Sequence, residues 1–231
     1  MKYCNICLTN SIYPASKLSS KGTCSACTEH SLNTKNYNEK KYFEVLTGYF
    51  KKHPRKKKSS YDCILGVSGG SDSTKLALWL KDKFAVNPLL VCSTLSPEHI
   101  SDRGAKNLSN LINLGFDVLI TAQGPKTWKK ILKKGFYDGN YIRGPELALY
   151  SSLPQIAIKY GIELICWGEG GNAKQFDASI INFKDKFDAN KLRYSRTLRN
   201  CNTDWIKDLC NNDTSLIQYK YPTLKEFKKN N

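Results

Sequence analysis

The sequence predicts an α/β protein, a doubly wound parallel sheet with a small cysteine-rich module at its N-terminus. From Tyr61 onward, short apolar segments alternate with helical segments, as in parallel sheets that carry helices on both faces. A turn rich in Gly and Ser follows the first apolar segment, and two Cys-x-x-Cys pairs precede it. These features predict one main domain with a smaller unit in front of it.

The composition is typical of a globular protein with an anionic partner. The chain has 231 residues, 40% of them hydrophobic, and a formal net charge of +16, which suits a nucleotide, an acidic sugar, nucleic acid or an acidic protein. Because the sequence has neither an apolar run of membrane-spanning length nor a signal-peptide core, we expect a cytoplasmic protein without a membrane partner. In that compartment, nine cysteines indicate metal binding or burial rather than disulfides.

The N-terminal module contains the pairs Cys4-x-x-Cys7 and Cys24-x-x-Cys27, separated by sixteen residues. Two residues between thiolates let one turn present both sulfurs to one ion, and two such turns complete a tetrahedral site. The spacing predicts a structural Zn²⁺ site in a module of residues 1–36. An iron–sulfur cluster is the main alternative, because four thiolates can ligate it too.

The rest of the chain divides into three further regions. Residues 37–60 are predicted to form a helix and a basic linker, residues 61–181 the α/β domain, and residues 182–231 a C-terminal segment that contacts substrate or a partner. Within the α/β domain the pattern predicts four strands, at residues 61–67, 87–94, 117–121 and 162–167. The intervening helices are predicted after the Gly- and Ser-rich turn and at residues 102–114, 125–136 and 145–160. A short capped helix is expected at residues 221–227.

The turn Ser68-Gly-Gly-Ser-Asp-Ser73 joins a buried strand to a helix. At a helix N-terminus, free backbone N–H groups and the helix dipole attract anions, and glycines let phosphate oxygens come close to the backbone. Asp72 would repel a bare phosphate and suits a Mg²⁺ ion beside one, while Lys75 adds positive charge. The residues of this turn that are predicted to bind the nucleotide and its Mg²⁺ ion are Ser68, Gly69, Gly70, Ser71, Asp72 and Ser73.

A second candidate for the same site follows the last predicted strand, in Trp167-Gly-Glu-Gly-Gly171. Ligands of doubly wound sheets bind outside the carboxyl ends of the strands, so the loops after Val67, Thr94, Thr121 and Trp167 should share one cleft. Glu169 is therefore predicted to bind Mg²⁺ together with Asp72, and both Glu169 and Thr94 are predicted to contact the nucleotide. By themselves, the residues point to an ATP-dependent adenylating enzyme with a zinc module.

The turn at Ser68 resembles the PP-loop of the ATP pyrophosphatase superfamily, whose fold is adenine nucleotide alpha hydrolase-like. Together with the four cysteines, Pro145-Glu-Leu-Ala-Leu-Tyr150 and Trp167-Gly-Glu169, it makes the chain before Asn182 similar to the N-acetyl sugar amidotransferases of bacterial surface-glycan biosynthesis. These include enzymes of lipopolysaccharide and O-antigen assembly.

The resemblance implies a reaction and its participants. ATP with Mg²⁺ would adenylate the acetamido group of a nucleotide sugar or nonulosonate. Ammonia from a separate glutaminase subunit would then convert the group to an acetamidino group, with release of AMP and pyrophosphate. The predicted catalytic residues are Asp72, Ser73 and Lys75.

Two other interpretations stay open. A tRNA-modifying PP-loop enzyme of the 2-thiolation type would account for the charge of +16, although no Cys-x-x-Cys pair follows Cys27. The third interpretation is a non-catalytic PP-loop subunit that docks a glutaminase. The presence of both Asp72 and Ser73 argues against it, because a degenerate turn would be expected to lose them. The sequence disfavours a nucleic acid partner without excluding it and leaves a homo-oligomer open.

Overall fold

The computed structural model describes residues 2–12, 18–36, 39–52, 60–95, 97–168, 209 and 218–229. The chain forms two compact units, Met1–Lys52 and His53–Asn231. The boundaries predicted inside these units, after residues 36, 60 and 181, stay predictions. Among the described residues, no helix is both long enough and apolar enough to cross a lipid bilayer.

The first unit consists of two tight turns followed by two helices, α1 (Ser25–Asn36) and α2 (Glu39–Lys52). In the first turn, the amide of Cys4 donates to the carbonyl of Thr9 at 2.9 Å. An isolated antiparallel bridge closes each turn, and the bridges pair Tyr3 with Asn10 and Leu18 with Cys24. Each cysteine pair, although far from the other in sequence, therefore lies at a short turn that is closed by its own bridge.

The second unit is built on a four-stranded sheet in which every pairing is parallel. Its strands are β1 (Cys63–Gly66), β2 (Pro88–Thr94), β3 (Val118–Ala122) and β4 (Ile165–Trp167). Its helices are α3 (Ser71–Phe84), α4 (Asp102–Asn113), α5 (Pro125–Tyr137), α6 (Arg143–Tyr160) and α7 (Leu224–Lys229). The spatial order is β3-β2-β1-β4, so the chain moves outward from β1 to β3 and then returns to the other side of β1.

Helices cover both faces of the sheet. Ile64 of β1 and Val91 of β2 pack with Leu153 of α6 in one buried cluster. Because successive strand residues face opposite sides, Leu65 and Leu90 face the other layer, where α3 contacts both strands. Leu65 and Leu90 are fully buried as well. The predicted doubly wound parallel fold is confirmed.

The fourth strand is shorter than the sequence predicts, because the preceding helix uses part of the predicted segment. Gly161 ends α6 in the left-handed conformation, with φ +65°. The amide of Ile162 then donates to the carbonyl of Ala157 at 2.9 Å, as in a glycine C-cap. The helix also begins at Arg143, ahead of the predicted start, and continues through Pro154.

Residues near the C-terminus belong to the core of the second unit. Tyr219 and Tyr221 are buried in a cluster with Ile131, Leu147 and other residues of α5 and α6. The hydroxyl of Ser151 donates to the carbonyl of Tyr219 at 3.4 Å. This part of the predicted contact segment therefore stabilises the fold.

The last helix begins with a capping box, which confirms the predicted capped helix with a start at Leu224. The amide of Thr223 donates to the carboxylate of Glu226 at 2.7 Å, and the amide of Glu226 donates to the hydroxyl of Thr223 at 3.3 Å. The first of these bonds holds the pKa of Glu226 below its usual value. The remaining predictions for residues 182–208 and 210–217 lie outside the described residues.

The strand order creates a switch point beside β1. The helix that follows β1, α3, and the helix that precedes β4, α6, pack on opposite faces of the sheet, and β1 pairs with β2 on one side and β4 on the other. Ligands of open α/β sheets bind at such a point, outside the carboxyl ends of the strands. The topology therefore predicts a ligand site at the turn after Gly66 and the residue after Trp167.

We expect Leu153→Ala to lower the free energy of unfolding by about 2–5 kcal/mol, because it leaves a cavity in the core. Leu153 is fully buried against Ile64 and Val91. All four tryptophans follow residue 53, so urea unfolding monitored by tryptophan fluorescence reports on the second unit. Ile112→Ala is the matched control, since Ile112 is 55% exposed, and equal losses in the two variants would contradict this account of the core.

Candidate functional site

The turn between β1 and α3 is closed by its own serine side chains. The amide of Ser68 donates to Ser73 Oγ at 3.4 Å, and Ser73 Oγ donates to the carbonyl of Gly70 at 3.3 Å. The amide of Gly70 donates to Ser68 Oγ at 3.3 Å. Gly69 adopts the left-handed conformation, with φ +76°, which a glycine accepts without strain. The turn is thus held in one shape by its own sequence.

The N-terminus of α3 is left open toward the outside of this turn. Gly70 occupies the N-cap position, and no side chain caps the helix. Ser71 and Asp72 are exposed, and the Ser71 hydroxyl donates to Asp72 Oδ1 at 3.4 Å. Thr74 Oγ1 is buried and has no hydrogen-bond partner. The first-turn N–H groups are therefore free of competing side-chain acceptors, as an anion site requires.

The end of β4 packs directly onto the start of α3. A Cβ atom added at Gly168 would lie 2.9 Å from Ser73 Cα and 3.0 Å from Ser73 Cβ, so only glycine fits there. The residue that follows Trp167 is thus in contact with the turn at the switch point, as the topology requires. Glu169, the residue that the sequence predicts as a second Mg²⁺ ligand, lies outside the described residues.

The remaining predicted residues lie at the same edge of the sheet. Thr94 is the last residue of β2 and pairs with Ala122 of β3, so it stands at the carboxyl end of the strand next to β1. Lys75 is exposed and lies one helical turn after Ser71, on the same face of α3. The structure brings the residues from Ser68 to Ser73 together in one turn, with Lys75 close behind them.

The contact between α4 and this turn was not predicted from the sequence. A Cβ atom added at Gly69 would lie 2.8 Å from Asn107 Cβ and 3.2 Å from the Asn107 carbonyl oxygen. Asn107 lies in the middle of α4, far from Gly69 in sequence, and no motif marks it. Only the amphipathic pattern of α4 hinted that one of its faces packs against the sheet.

The four predicted cysteines of the first unit form a cluster that could hold a metal ion. The sulfur atoms of Cys4, Cys7, Cys24 and Cys27 all lie within 4.8 Å of one another. The sulfurs of Cys7 and Cys24 are 3.6 Å apart. Around one ion with metal–sulfur bonds of about 2.3 Å, tetrahedral sulfurs are about 3.8 Å apart. The spacing therefore suits a single ion.

The backbone favours ionisation of one of these thiols. The amides of Cys24 and Ile6 donate to Cys4 Sγ at 3.2 and 3.4 Å, and such bonds, above all the one from Cys24, lower the pKa of Cys4 to about 6. Hydrogen bonding to the Cys7 sulfur raises the pKa of Cys27 to about 12. Thiolates this close repel each other, so a cation must be bound before all four ionise near neutral pH.

The described cysteines of the second unit do not resemble reactive thiols. Cys63 and Cys92 lie in β1 and β2 and are fully or almost fully buried. A hydrogen bond to the Cys166 thiol, together with burial, raises the pKa of Cys63, and burial raises that of Cys92. Neither is a thiolate at neutral pH, and both serve the core.

Comparison with family models finds no match, and comparison with curated proteins finds none either. Among solved structures, the chain is similar to NMN synthetase from Francisella tularensis, at 13% identity and a TM-score of 0.41, over 84% of this chain and 92% of that one. It is also similar to the U34-tRNA thiolase NcsA from Methanococcus maripaludis with its 4Fe–4S cluster, at 15% identity and a TM-score of 0.31. That match covers 84% of this chain and 61% of the thiolase.

We expect the purified protein to carry one metal ion per chain and Cys24→Ser to lose most of it, because three thiolates no longer complete the site. Inductively coupled plasma mass spectrometry gives the metal content. Cys92→Ala is the matched control, since it removes a buried thiol from the other unit. Retention of the metal in Cys24→Ser would contradict the assignment of this cluster.

We expect Gly69→Ala to destabilise the second unit more than Gly139→Ala does. Both glycines have left-handed φ, at +76° and +73°, so either alanine costs about 1–2 kcal/mol in backbone strain. Only at Gly69 would the new Cβ also press on Asn107, because Gly139 has open space around it. Urea unfolding measures both, and equal losses would show that α4 does not pack tightly on the turn.

Proposed function

We propose that this protein is an ATP-dependent amidotransferase that adenylates the acetamido group of a sugar and converts it with ammonia into an acetamidino group. The observation that carries the proposal is the uncapped N-terminus of α3 at the switch point of the sheet. The sequence there is Ser68-Gly-Gly-Ser-Asp-Ser73. Neither a Walker motif nor a dinucleotide-binding Gly-x-Gly-x-x-Gly motif accounts for it.

The phosphates of ATP suit the chemistry of this turn. Backbone N–H groups and the positive end of the helix dipole provide the donors. Gly69 lets the turn pack closely on α4, because a Cβ atom there would press on Asn107. The buried hydroxyl of Thr74, which has no hydrogen-bond partner, is a further group that a bound ligand could satisfy. Asp72, exposed in the first turn of α3, would hold Mg²⁺ beside the phosphates, where the ion offsets their charge.

The proposed chemistry overcomes the low reactivity of an amide. The amide oxygen of the substrate attacks the α-phosphorus of ATP, forming an O–P bond as the bond to the β-phosphate oxygen breaks and pyrophosphate leaves. Ammonia then adds to the activated carbon, and the C–O bond breaks with AMP as the leaving group. The product is a protonated amidine, and the oxygen of the amide ends in AMP.

The turn would contribute by stabilising charge on the leaving pyrophosphate. Preorganised donors aimed at developing charge are the largest single source of catalysis in many enzymes, with one donor worth about 3 kcal/mol. The serine hydroxyl bonds within the turn keep its backbone donors in place before ATP binds. Lys75, one helical turn behind Ser71, would add positive charge, and the remaining task of the protein is to align the two substrates.

The sugar substrate and the source of ammonia are supported by sequence likeness alone. The four cysteines, the Pro145–Tyr150 segment and Trp167-Gly-Glu169 resemble the N-acetyl sugar amidotransferases of bacterial surface-glycan assembly. On that basis we propose an acetamido nucleotide sugar or nonulosonate as the substrate, and a glutaminase subunit as the donor of ammonia. Glu169, following Gly168 at the switch point, is proposed as the second Mg²⁺ ligand.

We also propose that the Cys4, Cys7, Cys24 and Cys27 cluster holds zinc as a structural ion. In an iron–sulfur cluster the four thiolates are shared among two or four irons, which spreads the sulfurs further apart than around a single ion. The compact arrangement here, within 4.8 Å, favours a single ion and hence zinc. Four protein ligands leave no open position for water or substrate, so the ion would stabilise the first unit without joining the reaction.

A tRNA-modifying enzyme is the second candidate, favoured by the net charge of +16. Sulfur transfer through a protein persulfide would need a reactive cysteine near the turn. Cys63 and Cys92 of the second unit have raised pKa values, the opposite of what a reactive thiol needs. The net charge does not outweigh the lack of such a cysteine among the described residues, so the sugar enzyme is the better-supported proposal.

The test is release of AMP and pyrophosphate from ATP and Mg²⁺ with ammonium chloride, which removes the need for a glutaminase. Acetamido nucleotide sugars, acetamido nonulosonates and bulk tRNA are supplied in separate reactions. We expect AMP formation only with one of the sugar classes. Asp72→Asn should lower it at least about a hundredfold, because the charge on the phosphates is then poorly balanced.

Asp82→Asn is the matched control, since Asp82 is an exposed acid at the other end of the same helix. It should leave the rate nearly unchanged. Turnover with tRNA and not with any sugar would favour the RNA-modifying enzyme. Binding of ATP without turnover on any substrate would favour a non-catalytic subunit.

A further inference from the structure

The helix α4 forms a wall of the turn that the proposed function assigns to the phosphates. A Cβ atom added at Gly69 would be 2.8 Å from Asn107 Cβ, 3.0 Å from the Asn107 carbonyl carbon and 3.2 Å from its oxygen. The helix is held in this position on two sides. Ser101 caps it by accepting from the amide of Gly104 at 3.2 Å, and Leu108 and Leu111 are buried in the core.

Packing does not explain why residue 107 is an asparagine. The close contact involves the backbone and Cβ of Asn107, both of which alanine would supply equally well. The side-chain amide extends two bonds beyond that Cβ and is only half-buried. An amide carries two N–H donors and no charge, so it can donate to a phosphate without competing with Asp72 for a cation. The position thus offers polar donors on a residue that contacts the turn.

We propose that Asn107 is a phosphate-binding residue whose side-chain amide donates to the β- and γ-phosphate oxygens of ATP, and to pyrophosphate after it leaves. This inference rests on the proposed function, because it places the phosphates at the α3 N-terminus. It adds a ligand from a third segment of the chain. The turn would supply backbone donors from one side and α4 a side-chain donor from the other.

The contribution of Asn107 should be confined to ligands that carry the β-phosphate. Loss of one hydrogen bond to a charged group weakens binding by about tenfold or more, so Asn107→Ala should weaken ATP and pyrophosphate by that factor. Asn107→Asp keeps the shape of the side chain but adds a negative charge, and should weaken both further. AMP, which lacks the β- and γ-phosphates, should bind all variants equally.

The experiment is isothermal titration calorimetry of the full chain with ATP, pyrophosphate and AMP, each in the presence of Mg²⁺. Asn110→Asp is the matched control, because Asn110 is an exposed asparagine of the same helix and makes the same change in net charge. Melting temperatures of all variants establish that they fold. We expect ATP and pyrophosphate affinities to fall in Asn107→Ala and Asn107→Asp and to change less than about twofold in Asn110→Asp, as surface substitutions usually do.

Failure of this inference is distinguishable from failure of the proposed function. If the unaltered protein binds ATP and pyrophosphate but Asn107→Asp matches Asn110→Asp, the role of Asn107 is overturned and the proposed function stands. An equal loss of AMP affinity in the Asn107 variants would also overturn it, since the phosphates are then not the group contacted. If the unaltered protein binds neither ATP nor pyrophosphate, both proposals fail together.

Discussion

The second unit is organised around the positive end of one helix. The turn from Ser68 to Ser73 hydrogen-bonds to itself rather than to the first N–H groups of α3, so those groups keep their capacity for an anion. Around this end, three further constraints meet: Gly69 lies against α4, Gly168 lies against Ser73, and the strand order reverses beside β1. Each of these admits only a small residue or one topology, and together they shape the candidate site.

The first unit depends on a different interaction. Apolar residues of its first turn contribute little to a core, since Ile6, Leu8 and Ile12 are largely exposed. Among the described residues of this unit, Cys4 and Cys24 are the most completely buried, at 0% and 2% exposure. A small unit of this kind usually needs a metal for its stability, and the convergence of four sulfurs is consistent with that need. The ion would therefore be part of the fold of the first unit.

Local patterns predicted most of this architecture, and the parts that they missed depend on contacts between distant residues. The strands and helices follow from apolar periodicity, and the cysteine site follows from spacing. The predicted start of β4, at Ile162, is wrong by three residues. The amide of Ile162 bonds to α6 in the C-cap at Gly161, so this residue cannot begin the strand. The contact between Asn107 and Gly69 could not be predicted, because it depends on how α4 packs against the turn and no local sequence pattern indicates it.

The most direct test of the central claim is the fate of the acetamido oxygen. Acetamido nucleotide sugars and nonulosonates labelled with ¹⁸O at the acetamido group are incubated with the protein, ATP, Mg²⁺ and ammonium, and the AMP is analysed by mass spectrometry. Attack of the amide oxygen on the α-phosphorus predicts that AMP gains one heavy oxygen for each acetamidino group formed. Unlabelled AMP formed alongside an acetamidino product would contradict adenylation of the amide, and with it the proposed mechanism.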